Sequence, residues 1–195
     1  WLMDRERESS IEAVRQLDRH HLSRIREIFA AFDEEMKPRD RDAVRRRRAT
    51  MMQQIADAQC VLIAGGHVAV LLNRLRMFDL APGLREKPVV AWSAGAMVAT
   101  ERVVLFHDHP PQGAGNAEIL DRGLALCRGL VALPHAEKRL ALDDPVRVSL
   151  LARRFSDFQL AALDPGARLD WEPPDWIRQP GTQRLRADGS LEVWS

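Results

Sequence analysis

Cysteine is scarce in this sequence: there are two in 195 residues, Cys60 and Cys127. Both sit in apolar runs, Gln59-Cys60-Val61-Leu62 and Leu126-Cys127-Arg128. That usage excludes a disulfide-stapled scaffold and predicts two reduced core thiols in a reducing compartment. An excess of one charge is also missing. Lys and Arg number 29 against 28 Asp and Glu, for a net charge of +1. No global field is present to gather nucleic acid or an acidic membrane surface, so neither partner is expected. No apolar stretch reaches the length of a membrane span, and no signal-peptide pattern opens the chain. A cytoplasmic protein is the resulting expectation. Gly-x-Gly-x-x-Gly and Walker patterns are absent, so a dinucleotide or nucleoside triphosphate cofactor has no support and no cofactor is expected. There is no internal repeat and no low-complexity tract.

What is present reads as one globular domain. Hydrophobic residues make up 46% and charged residues 29%, which is ordinary for a folded chain and excludes disorder as the default. Residues 1–58 read as a helical segment. Ser9-Ser10-Ile11-Glu12 has the form of a capping box. Behind it Ile11, Val14, Leu17, Ile25, Ile28, Phe29 and Phe32 recur at near-helical spacing as one apolar stripe. Lys37-Pro38 breaks that run, and a second charged helix is predicted over about 41–58.

Residues 59–195 change in texture and form the predicted core. Cys60 to Ala64 and Val89 to Trp92 are short apolar runs with the profile of buried parallel strands. Val103 to Phe106 and Leu130 to Leu133 are two more. A helix is expected from Val68 to Phe78 and another behind Asp144-Pro145, with Asp144 as N-cap and Pro145 at the first helical position. The chain ends in β-like segments: Gln159 to Leu163, Ala167 to Trp171, and a hairpin around Asp188-Gly189. Strands alternating with helices predict an α/β fold whose largely parallel sheet is covered on both faces.

The sharpest chemical signal is Ala91-Trp92-Ser93-Ala94-Gly95. A nucleophile elbow needs small residues two before and two after the nucleophile, because the strand-to-helix turn is tight. Ser93 is therefore the candidate nucleophile, with the Ala94 amide as an oxyanion donor; a plain turn in which Ser93 caps the helix is the alternative. Gly65-Gly66 follows an earlier strand and suits a second amide donor or a ligand contact, or is an ordinary turn. Among six histidines, His20 and His21 sit in the charged helix and read as solvated. His135 follows a strand and the stiff Pro134, which makes it the leading base. His107-Asp108-His109 offers Asp108 to orient that base, though a solvated loop acid fits as well. Two histidines at i and i+2 lack a third ligand, so no metal site is expected. The arginine run Arg45 to Arg48 is interleaved with acids and reads as a solvated, ion-paired face.

Val61-Leu62-Ile63-Ala64-Gly65-Gly66, Leu71 to Leu75, Trp92-Ser93-Ala94-Gly95-Ala96 and Pro134-His135-x-x-x-Arg139 together resemble peptidase family S51, whose members include dipeptidase E and cyanophycinase. The resemblance runs from the start of the chain to about Asp164. It implies a single domain with a class I glutamine amidotransferase-like fold: a flavodoxin-like three-layer sandwich with a mostly parallel central sheet, here with a helical N-terminal region and a C-terminal β-hairpin. It also implies a first strand, which is either absent here or lies upstream of Trp1. The implied activity is metal-independent serine peptidase or amidohydrolase chemistry on small peptides next to an aspartyl residue, through a Ser-His-Asp acyl-enzyme. Ser93 would be nucleophile, His135 base and Asp108 the orienting acid. Gly66 and Ala94 would give the oxyanion amides, and Arg139 with Gly65 would contact substrate. A homodimer is a further expectation. The rival expectation is a non-catalytic binding or assembly protein that retains this fold.

Overall fold

The computed structural model describes residues 2–106, 117–178 and 181–194. It opens on α1 (Leu2–Met36), a 35-residue helix roughly 50 Å long at 1.5 Å per residue. The predicted capping box is therefore corrected: Ser9 lies inside the helix, and the neighbouring Ser10 hydroxyl donates back to the Glu6 carbonyl at 2.9 Å. The helix ends where expected. Lys37 takes a left-handed conformation, a 3-10 turn covers Pro38–Asp40, and α2 (Asp42–Asp57) follows.

The apolar stripe of α1 is only partly used. Leu22 is buried, whereas Leu17 and Ile28 stay 64% and 60% exposed. At about 100° per residue these two fall roughly 120–140° around the helix from Leu22, outside the arc that meets the core. The helix is tied down by polar contacts as well. Arg154 grips Asp18 with two hydrogen bonds of 2.6 and 2.7 Å, and Arg15 pairs with Asp157 at 3.0 Å.

Behind α2 come β1 (Val61–Ile63), α3 (Val68–Met77), α4 (Ala81–Arg85), β2 (Val89–Ala91), α5 (Ala94–Ala99) and β3 (Val103–Leu105). Next come β4 (Glu118–Asp121), β5 (Leu130–Pro134), α6 (Ala136–Leu140), α7 (Pro145–Arg154) and β6 (Gln159–Leu163). The chain closes with β7 (Leu169–Glu172), β8 (Asp175–Arg178), β9 (Gln183–Leu185) and β10 (Leu191–Val193). The α7 start is as read from sequence: Asp144 Oδ1 accepts from the Val146 amide at 2.9 Å and the Arg147 amide at 3.3 Å.

The α/β class holds, but the sheet differs from the expectation. The strands pair as four sheets among the described residues. β1 and β2 are parallel, and so are β5 and β6. β3–β4 and β7–β8 are antiparallel, and the C-terminal hairpin β9–β10 adds antiparallel to the edge of β6. The reason is strand length. Three-residue strands such as β1 and β2 offer few rungs, and short turns return β8 beside β7 and β10 beside β9. Coverage differs too. Leu62, Val90 and Trp92, alternate residues on one side of β1–β2, remain 65%, 54% and 48% exposed. Cys60 lies on that same alternation and is exposed, so the expected pair of core thiols reduces to Cys127.

Two large apolar clusters hold the fold, beside a small third one of Leu130, Ala161 and Trp194. One gathers β5, β6 and α7 with Leu22 of α1; the other joins β1, α3 and α5, and Phe106 packs against both. Every residue of β5 is buried, so it is the strand the rest is built around. Leu133→Ala should therefore cost about 2–5 kcal/mol in a urea unfolding titration, because the cavity left at a fully enclosed site cannot collapse. A loss below about 1 kcal/mol would show that β5 is not the centre of the packing.

Candidate active site

Ser93 stands between β2 and α5 with φ 53° and ψ −127°. A residue with a side chain holds that backbone only where its surroundings enforce it. Here the surroundings are two glycines. A Cβ on Gly95 would lie 2.0 Å from the Ile63 carbonyl oxygen, and one on Gly65 would lie 2.9 Å from Ser93 Oγ. The end of β1 and the turn after β2 thus touch at backbone level, and the Trp92 amide donates to Ile63 O at 3.2 Å. The structure brings Gly65, Ser93 and Ala94 together: the Ala94 nitrogen lies 3.7 Å from the same Gly65 Cβ position. Gly66 next door has φ 133°, open to glycine alone. Ser93 does not cap α5 with its side chain, which removes the capping alternative. Among the described residues its hydroxyl has no hydrogen-bond partner, and the helix N-terminus lies behind it.

His135 occupies the corresponding place at the carboxyl end of β5 and the start of α6. Its backbone is left-handed at φ 57°, its amide donates to Leu163 O at 3.2 Å, and its side chain is exposed. Its ring, like the Ser93 hydroxyl, makes no hydrogen bond among the described residues. The two residues are thus each held at a strand-to-helix turn without being hydrogen-bonded to one another. Asp108, with His107 and His109, lies outside the described residues. Arg139 is on α6, with its guanidinium 5.4 Å over the Phe106 ring.

A carboxylate that the sequence reading passed over works here. Asp164, directly after β6, accepts from the Glu137 amide at 3.2 and 3.4 Å and so caps α6 two residues past His135. The parallel register pairs Pro134 with Leu163, which is why an acid just beyond β6 reaches the helix just beyond β5. Asp164-Pro165-Gly166 is visible in the sequence as a turn; its reach across to α6 is not. Glu101, just before β3, accepts from the Gly129 amide at 2.8 Å. Arg45 and Arg48 pair with Asp42 and Asp79 on the solvated face anticipated for them.

Residues 13–169 match the family model described as peptidase family S51. The chain belongs to peptidase family S51. It is also similar to a 1.5 Å crystal structure of a protein provisionally described as peptidase E from Listeria monocytogenes EGD-e. The identity is 16% and the TM-score 0.46, over 71% of this chain and 65% of that one. The S51 chain thus spans just under two thirds of that protein's length. No curated protein matches it. No helix among the described residues is long and apolar enough to cross a membrane.

The thiols of this S51 chain are not interchangeable. Burial pushes the Cys127 thiol up to about 12, and its Sγ lies 3.6 Å from the Ala99 carbonyl oxygen. At pH 8 it is almost wholly protonated and a poor nucleophile. Iodoacetamide at that pH should alkylate exposed Cys60 and spare Cys127, as read by peptide mass mapping; equal labelling of both would contradict the burial. A second test addresses the glycine contacts. Gly95→Ala should destabilise the fold by at least about 2 kcal/mol, since backbone rather than a pliable side chain blocks the added methyl. A neutral result in thermal unfolding would mean that the turn can open.

Proposed function

We propose that this member of family S51 is a serine hydrolase of small peptides or related amides, acting through a covalent acyl-enzyme at Ser93. The observation that carries the reading is the Ser93 turn: a positive-φ serine between strand and helix, forced by glycine contacts, whose hydroxyl makes no hydrogen bond among the described residues. Strain kept at such a position is what a nucleophile elbow requires. This reading treats β1, β2, β5 and β6 as the parallel strands of a flavodoxin-like three-layer sandwich, with Ser93 and His135 at their carboxyl ends.

The chemistry follows from those roles. Ser93 Oγ attacks the scissile carbonyl while His135 accepts its proton. The amides of Gly66 and Ala94 donate to the resulting oxyanion, an effect worth several kcal/mol in related sites. Collapse expels the amine, which takes the proton back from His135. Water then attacks the ester with His135 again as base, releasing acid and free Ser93. Asp108 is the residue assigned to hold the imidazole in its working tautomer. Arg139 is assigned to a substrate carboxylate, which a guanidinium holds through two parallel hydrogen bonds and lysine does not; this favours aspartyl peptides.

A fluorophosphonate probe should label the chain at Ser93, with labelling lost in Ser93→Ala and reduced at least about a thousandfold in His135→Ala. Asp108→Asn should lower turnover on the order of a hundredfold or more without unfolding. Arg139→Lys should raise KM for aspartyl dipeptides and leave neutral ones unchanged. A folded chain that takes no label at Ser93 would defeat the enzyme reading and leave the binding-protein alternative.

A further inference from the structure

The C-terminal part of α1 carries an apolar stripe that its own chain leaves open. Every residue from Arg26 to Lys37 is exposed. Ile28, Phe29, Phe32 and Met36 are among them, Ile28 at 60% and Phe32 at 49%. With Ile25 they follow i, i+3, i+4, i+7 and i+11, the interval that lines one helical face. Beside the stripe, α1, α3 and β4 enclose a cleft of about 200 Å³ whose apolar wall includes Ile25, Ile28, Phe29, Ala69 and Leu72. Asp121 at its rim is held by Arg76. Short isolated helices are marginal in water, so this end of α1 gains stability when its stripe is covered.

The charges indicate what covers it. From Arg19 to Arg26 the formally charged side chains are all basic: Arg19, Arg24 and Arg26. From Glu27 to Met36 they are all acidic: Glu27, Asp33, Glu34 and Glu35. The last turn of α1 holds no basic residue, so its acids oppose the helix dipole. A parallel neighbour of the same sequence would set like charges side by side. An antiparallel one sets each basic stretch beside an acidic stretch. We infer that the stripe is the interface of a two-fold dimer, in which α1 of a second copy packs antiparallel, with Arg24 opposite Glu35 and Phe32 over the cleft.

The helical positions agree with that pairing. At about 100° per residue, Arg24, Ile28, Phe32 and Glu35 fall within about 80° of one another. Arg24 and Glu35 lie on one flank of this face, while Phe32 lies on the other with Ile25 and Phe29. A two-fold between antiparallel helices brings like flanks together, so each Arg24 meets a Glu35 and each Phe32 meets the partner's cleft. Ala31 then lies opposite Ile28, which lets the two backbones approach. Arg24 also pairs with Glu27 of its own helix, an exposed pair too weak to hold the guanidinium there. The overlap covers roughly 20 Å of helix, less than a permanent interface, so the dimer is reversible. No group of the serine turn enters, and the inference stands apart from the hydrolase reading.

The test is sedimentation velocity of the full chain from about 1 to about 200 µM, where a reversible monomer–dimer equilibrium with a micromolar Kd is expected. Ile28→Asp and Phe32→Ala, both at exposed positions, should each weaken it at least about tenfold. Arg24→Glu and Glu35→Arg should each do the same alone, and the two combined in one chain should return Kd to within about threefold of wild type. Glu35→Arg favours the helix end, so its effect on association is not one of lost helix. Circular dichroism melts check that each variant is folded. A monomer throughout the range, or a dimer unmoved by Ile28→Asp and Phe32→Ala, would overturn the interface. Single charge swaps without effect, as a parallel pair would give, or no recovery in the double variant, would overturn the antiparallel pairing.

Discussion

The contact between Gly95 and the Ile63 carbonyl is the constraint around which the site is organised. With no room for a methyl group, α5 begins directly against the end of β1, and the turn between β2 and α5 has to be made in two residues, Trp92 and Ser93. Ser93 takes up the resulting strain at φ 53°. Gly65 then meets the serine side chain from the neighbouring strand end. Remove either glycine and the serine hydroxyl loses its fixed place, whatever chemistry it performs. The packing beneath is consistent with this demand: Ala94, Met97 and Val98 are buried in the cluster that also holds Ile63 and Leu72.

The second half of the molecule is organised by β5 and β6. Their parallel register carries the chain from Pro134 and Leu163 into two adjacent exits. One exit leads to His135 and α6, and the other to Asp164, whose carboxylate caps that helix. Phe106 packs against both apolar clusters and beneath the Arg139 guanidinium. A shift of either half is therefore felt at the α6 end of the site, because closely packed interiors transmit displacement.

α1 is attached by few apolar contacts and several polar ones. Among the described residues Leu22 is its one buried apolar residue, while Asp18–Arg154 is a two-bond pair with both side chains largely enclosed. Removing one partner of such a pair leaves a poorly solvated charge, so the pair fixes position more than it adds stability.

Much of the fold was legible locally. Lys37-Pro38 marked a helix break, Asp144-Pro145 a helix start, and Asp188-Gly189 a hairpin, because each acts through backbone geometry and hydrogen bonds within a few residues. The small residues around Ser93 announced the tight turn for the same reason. Other features lay beyond any local window. The capping box at Ser9 was overridden because α1 begins upstream of it. Which face of β1–β2 is covered, how β9 joins β6, and how Asp164 reaches α6 all depend on partners distant in sequence. So does the meeting of Ala69 and Leu72 with the stripe on α1. The sequence by itself determined the elements and the turn that holds Ser93, since both arise from neighbouring residues. Only the tertiary structure decided which surfaces those elements bury and which clefts they enclose, since burial is a property of pairs that the chain brings together over long separations.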